Sequence, residues 1–420
     1  MYCQTRDFMF QFLCEQLLKG GPMFGNQLLH KLLKKTLPEI HLKRLTALTN
    51  AVEALLFGKR LTLTALGRYS HCQAKERHCI RKMDRLLGNV RLQEEEKKFY
   101  SALNTWLIKP WQKPLINVDW SCVNKKKDWH ILRASLGIRG RGYVVYQEVH
   151  PRGCENSPKV EKNFLRELKK VLPQGCRPII ISDAGFRGPW FKEVERQGFD
   201  WIGRVRSRAC YQLIGKKLWH YTYDLYERAT HKAHRLGEVI LSKQTPLRCQ
   251  LVLFKKRMQG RKHKNLKGAA TNNNASNRCA KREREPWLLA TSLPVEKDQD
   301  ALRIVMFYKK RMQIEEDFRD SKSHQYGFSL RYSLTNDKRR LQLLLLIAVL
   351  ASFVCWLTAL SVMRKQLHWD YQSNSIKKRM VLSVTYLACQ VIRRKVMFSE
   401  HELLQSILQL QQHIKDASLC

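Results

Sequence analysis

The stretch YKKRMQIEEDFRDSK, residues 308 to 322, sets three acids side by side, Glu315, Glu316 and Asp317, among basic residues. Read as one helix at about 100° per residue, Arg311, Lys322, Glu315 and Arg319 fall with Tyr308 on a face about 80° wide, and Glu316 and Asp317 fall outside it. Only Glu315 shares a face with a tyrosine and three cations suited to phosphate oxygens, which leaves Glu316 and Asp317 as ion-pair partners on the flanks. The stretch holds no Gly or Pro to signal a break. Two further acids stand out. Asp119 lies inside the otherwise apolar INVDWS, where a lone carboxylate costs several kcal/mol, on the order of the desolvation of one ion, unless a cation or hydrogen bonds offset it. Asp183 ends the apolar run IIISD before a glycine-containing turn, a common place for a site residue in an α/β sheet. Three such carboxylates can hold two Mg²⁺ or Mn²⁺ ions, one activating water or a 3′-hydroxyl and the other stabilising the leaving oxygen.

The elements around these acids follow from pattern. PLINVDWSCV, HILRASLGI and GYVVYQEVH read as a three-strand meander, and VEKNFLRELKKVLPQG as an amphipathic helix ended by Pro173 and Gly175. PIIISD then reads as a buried strand, PWFKEVERQ as a helix and FDWIGRVRS as a strand, the order of a ribonuclease-H-like sheet. Residues 207–286 interrupt this with strand-like HRLGEVILS and CQLVLFKKR and with a polar, basic loop at 257–285. WLLATSLP resumes as a strand, and ALRIVMFYKKRMQIEEDFRDSK follows as one helix. Residues 1 to about 95 and the segment after 326 read as helices, with Ser399 and Glu402 forming a capping box.

Lys plus Arg total 77 against 36 for Asp plus Glu, a formal charge of +41 spread along the chain. So large an excess points first to nucleic acid as partner and second to an anionic membrane surface. The stretch 61–88 reads as a helix-turn-helix whose second helix offers Lys75, Arg77, Arg81, Lys82 and Arg85 to phosphates, with Thr62 or Thr64 as cap and Gly67 near the turn. Thirteen scattered cysteines without a C-x-x-C pair fit free thiols in a reducing cytoplasm. HCQAKERHC, residues 71–79, lacks metal-finger spacing and reads as part of an amphipathic helix. The N-terminus, with Arg6, Asp7 and Glu15, does not look like a signal peptide. The apolar run 341–363 is long enough to cross a bilayer, although basic residues flank both ends and no second span exists; a buried central helix is the alternative reading.

These features together resemble the bacterial DDE cut-and-paste transposases of the insertion-sequence-four family, and within it the transposon-ten-like members. The resemblance rests on LTLTALGR and RLLGN, on VDWS around Asp119, LRAS, SDAGF around Asp183 and EPWLLATSLPVE, and on the signature Y-x₂-R-x₃-E-x₆-K at Tyr308, Arg311, Glu315 and Lys322. It implies an α/β ribonuclease-H-like catalytic core at 110–206 and 287–325, interrupted by a β-rich insertion at 207–286. A helical DNA-end-binding region at 1–100 and a helical dimerisation region at 326–420 would complete the chain. It further implies a catalytic and metal-binding triad of Asp119, Asp183 and Glu315 with two Mg²⁺ ions, Mn²⁺ substituting. Trp287 would stack on a base flipped out during hairpin formation, and Tyr308, Arg311, Arg319 and Lys322 would position the DNA backbone. The implied partners are terminal inverted repeats, target DNA and a second copy of the chain, with no membrane, so the resemblance favours the buried reading of 341–363. A nuclease without strand transfer and a non-enzymatic basic DNA-binding protein are the competing expectations.

Overall fold

The computed structural model describes residues 21–123, 128–206, 209–257, 285–325, 327–373, 375–376 and 378–419. The helix expected near the N-terminus and nearly all of the basic loop lie outside the described residues.

In chain order the elements are α1 Gly25–Thr36, α2 Leu42–Gly58, α3 Leu63–Arg68, α4 Glu76–Leu87, α5 Val90–Leu107, β1 Leu115–Cys122, β2 Trp129–Ile138, β3 Arg141–Pro151 and α6 Pro158–Val171. There follow β4 Ile179–Ser182, α7 Gly188–Arg196, β5 Asp200–Val205, β6 Cys210–Leu213, β7 Trp219–Tyr221, β8 His234–Leu241, β9 Leu247–Phe254 and β10 Trp287–Thr291. The chain ends with α8 Asp298–Lys309, α9 Gln313–Lys322, α10 Lys338–Arg364, α11 Val384–Arg393 and α12 Glu400–Ser418. The order from β1 to β5, three strands then helix, strand, helix, strand, is the order expected from the sequence.

The chain divides into two compact units, one formed by the described residues up to Cys176 together with Met312–Leu419, the other by Arg177–Arg311. In the first, β1, β2 and β3 form an antiparallel meander in which Asp119 is registered against Arg133 and Arg133 against Gln147. The apolar run is α10, a buried helix that packs on α2, α11, α12 and β3. A helix surrounded by protein can be apolar on every side, which accounts for a composition that would also cross a bilayer. Asp337 caps its first turn, accepting from the Arg340 amide at 2.8 Å. Ser399 and Glu402 cap α12 reciprocally, as the sequence predicts.

The helix-turn-helix region forms α3 and α4. Thr62 accepts from the Ala65 amide at 3.3 Å and starts α3. The two helices touch at Gly67, where a Cβ would lie 2.6 Å from the Ile80 backbone. Their connection runs over residues 69–75, longer than the turn of about three or four residues in the standard motif. HCQAKERHC is therefore helical only from Glu76 onward.

In the second unit the strand order is β4-β5-β10-β9-β8-β6-β7. β4 and β5 are parallel and every other pair is antiparallel. The strands of the expected β-rich insertion, β6 to β9, join the sheet of β4 and β5 through β10, with β9 pairing along β10 from Trp287↔Phe254 to Thr291↔Gln250.

One expectation is overturned. The segment 301–322 is not a single helix. α8 ends at Lys309, residues Lys310–Met312 form a 3₁₀ turn, and α9 begins at Gln313. A 3₁₀ turn winds at about 120° per residue, so angles carried from Tyr308 across it to Glu315 are not valid. The break coincides with the division between the units. Each half of the segment is held by its own unit, and that packing, not a Gly or Pro, ends the helix.

Candidate active site

In the first unit the site is built on β1 and α9. Leu115–Val118 of β1 are buried, and from Asp119 onward the strand is half-buried, so Asp119 stands where the core opens. Its Oδ1 accepts from the Trp120 amide at 2.8 Å. Asp119 and Ser121 point to one side of the strand, since side chains alternate. Lys322, the last residue of α9, reaches that side and donates from Nζ to Ser121 Oγ. Burial pushes the Lys322 ammonium down to about 7; Arg133 and Arg331 add to the effect, and Cys122 and Asp119 oppose it. Asp119 and Lys322 are thus within electrostatic reach of each other.

The opposite side of α9 fixes the helix to the sheet. Asp317 is buried and lies 3.3 Å from Arg133, itself almost fully buried. Arg133 also donates to Gln147 at 2.9 Å and to Ser321 at 3.1 Å, and it stacks on Phe318 at 4.5 Å. Burial pushes the Asp317 carboxyl up, while Arg133 pulls it back. The close approach depends on Gly142 of β3, where a Cβ would lie 2.4 Å from Asp317 Cβ.

With Asp317 anchored inward, the 100° step places Glu315 and Lys322 about 20° apart on the other side. Glu315 is exposed. Glu316 pairs with Arg319 and, at 3.0 Å, with Arg141. Asp317 and Glu316 are thus both engaged in ion pairs, and of the helical angles only those within α9 apply to Glu315. Arg319, expected to meet phosphate, is exposed and engaged by Glu316.

The second unit carries Asp183, Tyr308, Arg311 and Trp287. β4 is buried throughout and Asp183 follows its last residue, its Oδ1 accepting from the Gly185 amide at 2.7 Å. Tyr308 is buried near the end of α8, and Trp287 meets its ring edge-on at 5.0 Å. Burial pushes the Tyr308 phenol above its usual value; Arg311, Arg204 and Arg206 oppose that and Asp183 adds to it, so these five groups share one electrostatic neighbourhood. Trp287 is half-buried and also lies beside Phe254, at 5.9 Å.

Sequence reasoning missed Arg133, Ser121, Arg204 and Arg206. Arg204 donates to the Glu285 and Pro286 carbonyls at 3.3 and 3.5 Å, and Arg206 lies 3.2 Å from the Glu285 carboxylate. The alternation in GRVRS, which puts both arginines on one side of the end of β5, was the available signal. Of the α4 residues singled out, Arg77, Arg81, Lys82 and Arg85 are all exposed, opposite the buried Cys79, Met83, Leu86 and Leu87.

The structure therefore brings Asp119, Lys322 and the Glu315 side of α9 together in one unit, and Asp183, Tyr308, Arg311 and Trp287 together in the other. Among the described residues no group of three or more His, Cys, Asp or Glu side chains forms a metal cluster. As a donor set, three carboxylates supply only hard oxygen ligands, which suits Mg²⁺ or Mn²⁺ and not a thiophilic metal.

The model of the family described as Transposase DDE domain matches residues 110–351, from just before β1 to the middle of α10. No curated protein matches the chain.

Proposed function

The chain belongs to the DDE transposase family and is a transposase, an enzyme acting on DNA, and from that premise we propose that it carries out cut-and-paste transposition in the manner of the insertion-sequence-four family, closest to its transposon-ten-like members. In this reading the catalytic core is ribonuclease-H-like, and Asp119, Asp183 and Glu315 hold two divalent ions. Bound there, the ions would activate the attacking oxygen and stabilise the leaving one. The observation that carries the reading is the tie from Lys322 to Ser121, which fixes the Glu315 side of α9 on the Asp119 side of β1.

The protein groups supply position and charge. Phosphoryl transfer needs in-line placement and neutralisation of the phosphate more than covalent help. Lys322 and Arg311 donate to non-bridging oxygens near the scissile bond, and Tyr308 backs Trp287, whose exposed side takes an unstacked base. An oxygen of water, and later the freed 3′-hydroxyl, forms a bond to phosphorus as the P–O3′ bond breaks. Attack by the 3′-hydroxyl on the opposite strand closes a hairpin, water reopens it, and the same 3′-hydroxyl then joins target DNA. The exposed cations of α4, Arg77, Arg81, Lys82 and Arg85, hold the terminal inverted repeat, and a homodimer in the cytoplasm pairs two ends.

The test supplies purified protein with Mg²⁺, a duplex carrying the inverted repeat that flanks this reading frame, and a target plasmid. Nicked ends, hairpins and joined products are expected, all lost in Asp119→Asn, Asp183→Asn and Glu315→Gln with DNA binding retained. Cut ends without joined products would favour a nuclease instead.

A further inference from the structure

Within the first unit a groove of about 570 Å³ opens between the start of α3 and the segment that leads from α9 into α10. Its walls are fixed by backbone. The Leu61 amide donates to the Phe328 carbonyl at 2.8 Å, and Ser329 Oγ donates to the Lys59 carbonyl at 3.0 Å. On its far side Trp129 Nε1 donates to Asn336 Oδ1 at 2.7 Å. The groove therefore exists before anything enters it.

Two apolar side chains are presented to solvent here instead of being packed away. Tyr332 is 58% exposed and Leu334 93% exposed. His324 meets the Tyr332 ring edge-on at 5.4 Å and holds its orientation. The cations lining the groove are Arg60 and Arg340. The acid in the lining, Asp337, is occupied in capping α10. An exposed aromatic ring between guanidinium groups is the combination that binds nucleic acid strands, phosphates on the cations and a base on the ring.

Position narrows the occupant. At one end Arg340 pairs with Asp84 of α4, the helix whose outer side carries Arg77, Arg81, Lys82 and Arg85. At the other end His324 stands two residues beyond Lys322. The groove thus lies next to α4 through Arg340 and next to the end of α9 through His324.

We propose that the groove binds the transposon-end DNA strand between the α4 contact and the scissile phosphate, with phosphates on Arg60 and Arg340, an unstacked base on Tyr332 and Leu334 wedged beside it. The proposal rests on the transposase reading and adds a binding site outside the carboxylates and the Trp287 pocket.

The test uses the full chain and the end duplex with 2-aminopurine at each of its outermost base pairs in turn. In Glu315→Gln protein, which is not needed to cut, binding should change the fluorescence of at least one position several-fold. Tyr332→Ala should abolish that change, Tyr332→Phe should keep it, and both should melt with the wild-type protein. In the cleavage assay without target, Tyr332→Ala and Arg60→Ala should slow nicking about tenfold, with Tyr332→Phe near wild type. The fluorescence does not depend on catalysis, so it reports on the groove even if Glu315 is not a ligand. A fluorescence change that survives Tyr332→Ala, or a defect confined to joining pre-cut ends to target, would overturn the proposal.

Discussion

The two sides of α9 each carry an acid and a cation, and they use them differently. On the side against β2 and β3, Asp317 and Arg133 are both buried and form an ion pair at 3.3 Å, with the guanidinium also donating to Gln147 and Ser321. On the side against β1, the acid, Glu315, is exposed, and the cation, Lys322, donates to a neutral serine. Burial raises the Asp317 carboxyl, and Arg133 compensates. Burial lowers the Lys322 ammonium to about 7, with Asp119 opposing the shift. A buried pair matched within the fold contributes to keeping the helix in place. A buried cation whose hydrogen-bond partner is a neutral serine costs stability, and such a cost is commonly found where a protein must meet an external charge. The Asp317 side should therefore answer in stability and the Lys322 side in activity.

The largest expected effect is Asp317→Ala. It strands Arg133 in the core and should cost about 3–5 kcal/mol in urea unfolding, the usual penalty for removing one member of a buried pair. A loss near 1 kcal/mol would erase the distinction between the two sides. Next, Lys322→Met should lower the nicking rate by about 10²-fold, the scale of losing one charge-stabilising donor, with unfolding stability unchanged or improved. Its titration sharpens the contrast. The folded pKa is about 7 against an ordinary 10.5, so the unfolded chain binds the proton over the interval between them. Charging this lysine in the fold costs stability at low pH, and stability of the DNA-free, metal-free protein should rise from about pH 7 upward towards 10.5. That rise should be absent from Lys322→Met, as measured by urea midpoints across pH. Gly142→Ala comes third. Its methyl would meet Asp317 Cβ, and overpacking of this kind costs about 1–3 kcal/mol, read as a lowered melting temperature. Smallest is Arg319→Ala, whose exposed pairing with Glu316 is worth about 0–1 kcal/mol; a drop beyond that would mean the pair is structural.

Much of this architecture is legible in the sequence because it is local. The short apolar runs of β1 to β3 between polar turns, Thr62 and Ser399 as caps and the apolar run of α10 each announce an element through near neighbours in the chain. The break at Lys310–Met312 does not, since no residue in it opposes a helix. On its two sides lie anchors distant in sequence, the Trp287 ring against Tyr308 of α8 and Arg133 against Asp317 of α9. Arg133 itself read as one more base in HILRASLGI, because its partners Gln147, Asp317 and Ser321 are distant in sequence. Of the angles that favour Glu315 over Glu316 in the sequence, only those within α9 still apply. The argument from Tyr308 crosses the break, whereas the spacing from Glu315 to Lys322 lies wholly within α9. The pairing of β9 with β10 is likewise a long-range event that near neighbours in the chain do not announce.

The most direct test of the central claim is metal-specificity exchange. Asp119→Cys, Asp183→Cys and Glu315→Cys should each lose nicking of the end duplex with Mg²⁺ and recover part of it with Mn²⁺, which tolerates a thiolate better. Glu316→Cys, as the neighbouring control, should keep its Mg²⁺ activity. Retained Mg²⁺ nicking in Glu315→Cys, together with its loss and Mn²⁺ rescue in Glu316→Cys, would contradict the assignment of the third carboxylate.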